Sequence, residues 1–407
     1  MRDRIAFLFL NLGHLYDHMF MALYALVVVV LVKQFDMSYA ALLPVATPGF
    51  IAFGAGALPA GWLADRWSRS GMLTIFFIGI GVASIATGFA TTPTQIGFGL
   101  FGIGIFASIY HPVGIPMVVE GRENAIGKAL GINGVFGNFG FSVAFVVAGA
   151  MLDYFDWRAA FMVPGVVSIV TGIAYFAFAR RGPVTRKEKP KSAGELPNWA
   201  EIIRIFALIA LTTACGGIIF HATTISMPKV LDERIVELSA TSLGIGSIAA
   251  VIFMFAALAQ IVVGHLIDRY AMKWVYLGVA GLQIPLFLLA MNLSGMAMLI
   301  VSLGFMLLVF GNIPINDAIV ARNSTPAVRG RVYALKYVLT LTIGAVAVPM
   351  VAYLHGAGGF SGMFVVLAAC AGGIVLAVLL LLRDRPAVTT AYLLMQPVEP
   401  QAVPAVA

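Results

Sequence analysis

The sequence predicts an all-α polytopic membrane protein: twelve transmembrane helices in two pseudo-symmetric six-helix bundles. Three observations predict it. The 407 residues are 61% hydrophobic and only 11% charged, against about 25% charged in an ordinary soluble chain. The charges collect in short clusters between long apolar stretches, the pattern of a chain that crosses a bilayer many times. One half of the sequence also repeats, weakly, in the other.

Twelve apolar spans run over about 5–32, 40–61, 73–91, 94–118, 127–152, 157–179, 202–227, 240–264, 273–292, 295–321, 331–354 and 361–382, each near or above the ~20 residues a helix needs to cross the hydrocarbon core. Strands would leave unpaired backbone groups in lipid, so the spans are read as helices. Of the 25 lysines and arginines, twenty fall on one set of connecting segments. Four (Lys33, Arg158, Lys229 and Arg234) fall on the other, and Lys336 lies within a span. That asymmetry predicts both termini in the cytoplasm, as for a protein of a bacterial inner membrane. The net charge of +7 is then a topology signal scattered over seven segments, and no nucleic acid is expected.

The first apolar run is too long for a signal peptide and has no small-residue cleavage site. Between the sixth and seventh spans, "RRGPVTRKEKPKSAGELPNW" is charged and Pro-containing. The expected organisation is therefore an N-terminal bundle over 1–179, a cytoplasmic linker over 180–200, a C-terminal bundle over 201–385 and a disordered tail over 386–407. Cys215 and Cys370 both fall within spans, and no disulfide or metal cluster is inferred from them. No cofactor is expected, and the protein is expected to act as a monomer.

The repeat has a constant offset of 203. "GWLADRW" from Gly61 is matched by "GHLIDRY" from Gly264, Gly127 by Gly330, Gly13 by Gly216, His18 by His221 and Phe161 by Phe364. Parallel six-helix halves with a midplane site between them are the design of a secondary transporter. An intramembrane enzyme has no need of such a duplication.

The first span holds the residues that bear chemistry. Asn11, His14, Asp17, His18 and Met21 are three or four apart and share one helical face. An aspartate facing lipid at the bilayer centre costs at least ~2.5–3.5 kcal/mol, so this face is expected to look into the protein or a watery cavity. Imidazole changes charge near neutrality, and His14, Asp17 and His18 are the expected proton-coupling group. His111, beside Pro112, and His221, the repeat mate of His18, are further cavity candidates, as are Asn312 and Asn316. Asp317 and Lys336 are expected to form a structural ion pair. No arginine pair sits at mid-membrane, so a strongly anionic substrate is disfavoured; a small, partly apolar molecule that is neutral, zwitterionic or weakly acidic fits better.

Gly127, Gly131, Gly134, Gly137 and Gly140 form a strip along the fifth span, read as a close-packing surface for rocking against the other half. In the loop Gly61-x-x-x-Asp65-Arg66-x-x-Arg69, Gly61 permits close packing. Asp65 is suited to accept from the N-terminal amides of a neighbouring helix, and Arg66 and Arg69 to pair with Glu120 or Glu123. Such contacts, formed in one rocking state only, would bias which side is open. Asp268 and Arg269 are the weaker copy.

On that loop and its echo, the chain resembles the major facilitator superfamily along nearly its whole length. "GHLYDHM", "SIYHPVG" and "GVFGNFG" loosely resemble the bacterial fosmidomycin-resistance type of efflux carrier. The resemblance implies alternating access and proton-coupled antiport. It makes Asn11, His14, His111, Asn138, His221, Asn312 and Asn316 the expected substrate-binding residues, and Gly61, Asp65, Arg66, Arg69, Asp268 and Arg269 the gating ones. Uptake or uniport stays open as an alternative, as does a divalent-metal carrier using the His/Asp cluster of the first span. Histidines at i and i+4 are also superficially similar to a zinc-protease helix, but Leu15 follows His14 where a glutamate is needed, and no third ligand is evident.

Overall fold

The computed structural model describes residues 2–120, 126–182, 199–235, 241–323 and 326–381. Most of the expected linker, the whole tail, and Arg122 and Glu123 lie outside them. So do the side chains of Arg329 and Arg331. The described residues form twelve helices long and apolar enough to cross a membrane, with no strand among them. They are α1 (Arg2–Phe35), α2 (Tyr39–Arg66), α3 (Arg69–Gly88), α4 (Pro93–Val119), α5 (Ile126–Tyr154), α6 (Ala159–Ala179), α7 (Trp199–Arg234), α8 (Ser242–Arg269), α9 (Met272–Ala290), α10 (Gly295–Asn323), α11 (Pro326–Gly358) and α12 (Phe360–Leu381).

The starts follow local chemistry. Ser38, Ser68, Thr92 and Thr241 cap α2, α3, α4 and α8, each side-chain oxygen accepting a backbone N–H of the first turn. Pro93 occupies the first turn of α4, where its missing N–H costs nothing. Pro44 sits in a 3-10 turn within α2. Helix α4 breaks at Ser108–Ile109, because Pro112 cannot bond the carbonyl one turn back and crowds it. The break sets the direction of Tyr110 and His111.

α1–α6 form one bundle and α7–α12 the other. The outward faces are apolar: Val163, Val166, Val170, Ile173 and Phe176 of α6 are exposed along a stripe at helical spacing, as a lipid-facing surface requires. Inside, Phe76, Phe77, Tyr110 and Tyr175 of the first bundle, and Phe253, Phe287 and Phe305 of the second, are fully buried.

The bundles meet along α5·α8 and α2·α11, with α1 against α7. Gly54 abuts Thr342, Gly344 abuts Phe50, and Ala40 lies against Gly356. Ser142 Oγ donates to the Ala250 carbonyl at 2.9 Å. At the far end of α5, Asp153 accepts the backbone N–H groups of Ser242 (3.0 Å) and Leu243 (2.8 Å) at the start of α8. A carboxylate there meets the positive end of the helix dipole. Tyr39 packs its ring on His355 at 4.9 Å. These contacts all lie from the middle of the helices to the end opposite the N-terminus, so the bundles are closed on that side.

The glycine strip of α5 corrects one expectation. A Cβ at Gly137 would strike the His14 ring at 2.6 Å, and one at Gly140 would strike the Leu15 carbonyl oxygen at 2.4 Å. Both glycines serve α1 of the same bundle, not the opposite half. Gly131 and Gly134 have no atom within 4 Å of such a Cβ and front open space. Among the described glycines of α5, Gly149 meets the other bundle, against Ser242 and Leu243.

Candidate functional site

The site is built on α1, where Asn11, His14 and Asp17 are buried and His18 is partly open. Asp17 has no exposed surface, and its Oδ2 lies 3.2 Å from His111 Nε2 and 4.0 Å from His18 Nε2. Its Oδ1 has no hydrogen-bond partner among the described residues. A carboxylate buried this way persists only where opposite charge, or a proton, can reach it.

The imidazoles are held in defined roles. His14 Nδ1 lies 2.8 Å from the Asn133 carbonyl oxygen, so Nδ1 carries the hydrogen and donates. A neutral ring then has its lone pair on Nε2, which lies 3.2 Å from His18 Nε2. His18 therefore donates from Nε2, and the lone pair of its neutral form is on Nδ1. That atom has no protein partner among the described residues and is not enclosed. His221 mirrors the arrangement from α7: its Nε2 donates to the Thr340 carbonyl at 3.0 Å, leaving Nδ1 as the acceptor. These hydrogen positions follow from the bonding pattern.

Tyr110 and Asn133 support the cluster, and neither stood out in the sequence. Tyr110 stacks on His14 at 4.9 Å and donates to the Leu10 carbonyl at 2.7 Å. Asn133, fully buried, donates to Asn11 Oδ1 at 2.9 Å. A signal for it did exist: Asn133 is a polar residue within the glycine strip. The site's wall is aromatic. Phe141 meets His18 at 4.9 Å, Phe220 and Phe50 flank His221 at 5.4 and 5.5 Å, and Phe141 and Phe220 are 5.7 Å apart across the bundle seam.

Other expected binding residues lie differently. Asn138 spends its amide on the Gly134 carbonyl at 2.9 Å. Asn316 accepts from the Tyr276 hydroxyl at 3.1 Å and donates to the Asn312 carbonyl at 3.2 Å, a bracing of α9 on α10. Lys336 pairs with Asp317 as expected. His111 corrects the search for a third ligand: atoms of His14, His18 and His111 able to hold a metal lie within 4.8 Å of one another.

At the N-terminal-side ends of the helices, Gly61 meets Pro112 of α4, 3.2 Å from where its Cβ would stand. Arg69 pairs with Glu120 and, at 3.1 Å, with Asp65. Two expectations are corrected. Asp65 is exposed and bonds Arg69 rather than a helix N-terminus, and among the described residues it makes no contact with the opposite bundle. Arg66 lies over the Trp62 ring at 4.2 Å, a stacking contact in place of an acid partner. Asp268 faces Arg322 at 3.6 Å, Arg269 ends α8, and Glu123 is outside the described residues. A separate cavity of about 480 Å³ is lined by Ala40, Pro44, Pro349, Ala352, Tyr353, Gly356 and Ala357. Its lining includes no histidine, no carboxylate and none of the residues of this cluster.

The family model of the Major Facilitator Superfamily matches residues 10–254 and 233–396. The niacin transporter NiaP of Acinetobacter baylyi is 26% identical over 226 residues, 55% of this chain and 49% of that protein. The puromycin resistance protein pur8 of Streptomyces alboniger is 28% identical over 124 residues, 30% of this chain and 24% of that protein. The matches thus span half or less of these curated relatives' length. Among solved structures, a bacterial homolog of the human lysosomal transporter Spinster, inward-facing and unoccupied, superposes with a TM-score of 0.74 at 16% identity, covering 95% of this chain and 99% of that one. A D-xylose-proton symporter gives 0.69 at 15% identity, covering 93% and 97%.

Proposed function

Given that the chain belongs to the major facilitator superfamily, we propose that it is a proton-coupled secondary transporter. It moves a small, partly apolar solute by alternating access and runs as an efflux antiporter. It acts as a monomer in a bacterial inner membrane, with both termini cytoplasmic. In that orientation the closed end is the outer one, and the state described is inward-facing.

The observation that carries this reading is the fully buried Asp17, reached by His111 at 3.2 Å and His18 at 4.0 Å, with both imidazoles partly open and His18 the more so. A proton entering at His18 changes the charge of a site that otherwise holds an isolated carboxylate. The gating reading for Gly61, Asp65, Arg66, Arg69, Asp268 and Arg269 is that their partners change when the inner end closes. An inner-end contact from Asp65 to the start of α11 would belong to the opposite state.

The test is flux in proteoliposomes under an imposed pH gradient, with puromycin and nicotinic acid as solutes because relatives carry those names. Gradient-driven movement of either solute, lost in Asp17→Asn, supports the reading. Movement that ignores the gradient would favour uniport. A divalent-metal carrier is favoured by one fact, the closeness of three imidazoles. Against it, two of the three nitrogens already satisfy each other as a hydrogen bond. Stoichiometric zinc binding that competes with both solutes would reverse that preference.

A further inference from the structure

The hydrogen-bond pattern of the site constrains what it can bind. For neutral rings, His18 and His221 each have one nitrogen committed as a donor, to His14 Nε2 and to the Thr340 carbonyl. The remaining nitrogen of each, Nδ1, is a lone-pair acceptor without a protein partner among the described residues. The two residues are repeat mates, one from each bundle, linked across the seam by the rings of Phe141 and Phe220. Behind His18 lies the carboxylate of Asp17. Around both rings stand Phe141, Phe220 and Phe50. The site thus offers two acceptors, one buried negative charge and aromatic faces. Lys336, a basic side chain within the middle of a span, is joined to Asp317, so its charge is already engaged by a carboxylate.

We propose that the site between His18 and His221 takes a small organic amine, bound as a monocation with an apolar body, whose N–H groups donate to Nδ1 of His18 and Nδ1 of His221. An ammonium has several hydrogens to share between two acceptors. Its charge is attracted by Asp17 and by aromatic faces, and its body packs on the phenylalanines. A proton arriving on His18 converts Nδ1 from acceptor to donor, which turns the amine away. Amine and proton then exchange one for one, the requirement of antiport. The other titratable groups that face His18 are His14 at 3.2 Å and Asp17 at 4.0 Å on α1, His111 of α4 at 5.8 Å between rings, and His221 of α7 beyond the Phe141–Phe220 pair; α5 contributes Phe141, which does not titrate.

This inference rests on the proton-coupled reading above, and the experiment separates the two. The detergent-purified protein is titrated in weakly buffered solution with three probes sharing one body: phenethylamine, 3-phenylpropionate and 3-phenylpropanamide. Proton exchange is followed with a pH indicator, and affinity is measured at pH 6.5 and 8.5. The expected result is that the amine alone binds well, at least tenfold more tightly than the others, and more tightly at the higher pH. It releases up to one proton per protein at the lower pH. His18→Gln, checked by thermal melting, should abolish the release. His18→Asn, a second replacement, guards against a folding artefact of the first. Binding of the carboxylate with proton uptake would overturn the amine assignment yet leave proton coupling intact. Binding of the amine without proton release, or of no probe above the amide, would overturn the inference. If, in addition, flux in proteoliposomes ignores the pH gradient, the proton-coupled reading itself fails.

Discussion

Replacing two glycines one turn apart on α5 with alanine should give opposite results. At Gly137 the new Cβ would lie 2.6 Å from His14 Cε1 and Nε2, about 0.8 Å short of ordinary contact. The ring has to retreat, and it is tied at both nitrogens, to the Asn133 carbonyl and to His18. Overpacking of this kind costs about 1–3 kcal/mol, and a weakened hydrogen bond a further 0.5–1.5 kcal/mol or so. At Gly134 the Cβ meets nothing within 4 Å. Both substitutions gain about 1 kcal/mol of helix propensity, so the contrast isolates the contact. Gly134→Ala should be neutral or stabilising, and Gly137→Ala should fall below it by about 2–4 kcal/mol. The assay is thermal unfolding of both variants at one scan rate in one detergent, since membrane-protein melting is often irreversible. Proton release on phenethylamine addition is the second readout, reduced in Gly137→Ala and kept in Gly134→Ala. Equal melting temperatures and equal proton release would refute the tethered placement of His14 against α5.

Three further outcomes are expected. Asp17→Asn keeps shape and hydrogen-bonding capacity, so the protein should fold while its flux loses dependence on the pH gradient; an unchanged pH profile would make the cluster structural. Asp153→Ala removes two charge-assisted bonds at the start of α8 and should shift the bundles toward opening at that end by about 1–3 kcal/mol. Distances between spin labels on Ala40→Cys and Gly356→Cys, read with and without the change, check this, and identical distance distributions would sink it. Asp65→Asn should slow transport more than it weakens amine binding; normal flux at normal abundance would deny the loop a gating role.

The twelve helices were legible because lipid permits so few alternatives: apolar length gives the spans, and their observed ends differ from the expected ones by a few residues in most cases. The inward direction of Asn11, His14 and Asp17 was legible for the same reason, since solvent-free hydrocarbon punishes any other. What the sequence could not supply was the partner of each face. The glycine strip signals close approach but not to which helix, and it divides halfway along, packing on α1 at Gly137 and Gly140 and lining open space at Gly131 and Gly134. Arg66 and Asp65 found other neighbours because their expected ones depend on which end of the molecule is closed. Nor could spacing alone show that His111 joins Asp17, because that contact depends on the break in α4 imposed by Pro112.

In the rocking proposed above, the Phe141–Phe220 contact, which sits on the bundle seam, is taken as the fulcrum. From Phe141 to Lys128, thirteen residues along α5, a helix extends roughly 20 Å, and a turn of about 10° moves its tip some 3–4 Å. Motion at the fulcrum itself is small. The ring-to-ring and ring-to-carboxylate contacts among His14, His18, Asp17 and His111 all belong to one bundle and travel with it as a rigid piece. Of these imidazole relations, that of His18 to His221 is the one that spans the two bundles, and on this reading it is the one that rocking would alter. On that reading the molecule is a lever that keeps its chemistry at the axle, where large swings of the ends leave short distances undisturbed.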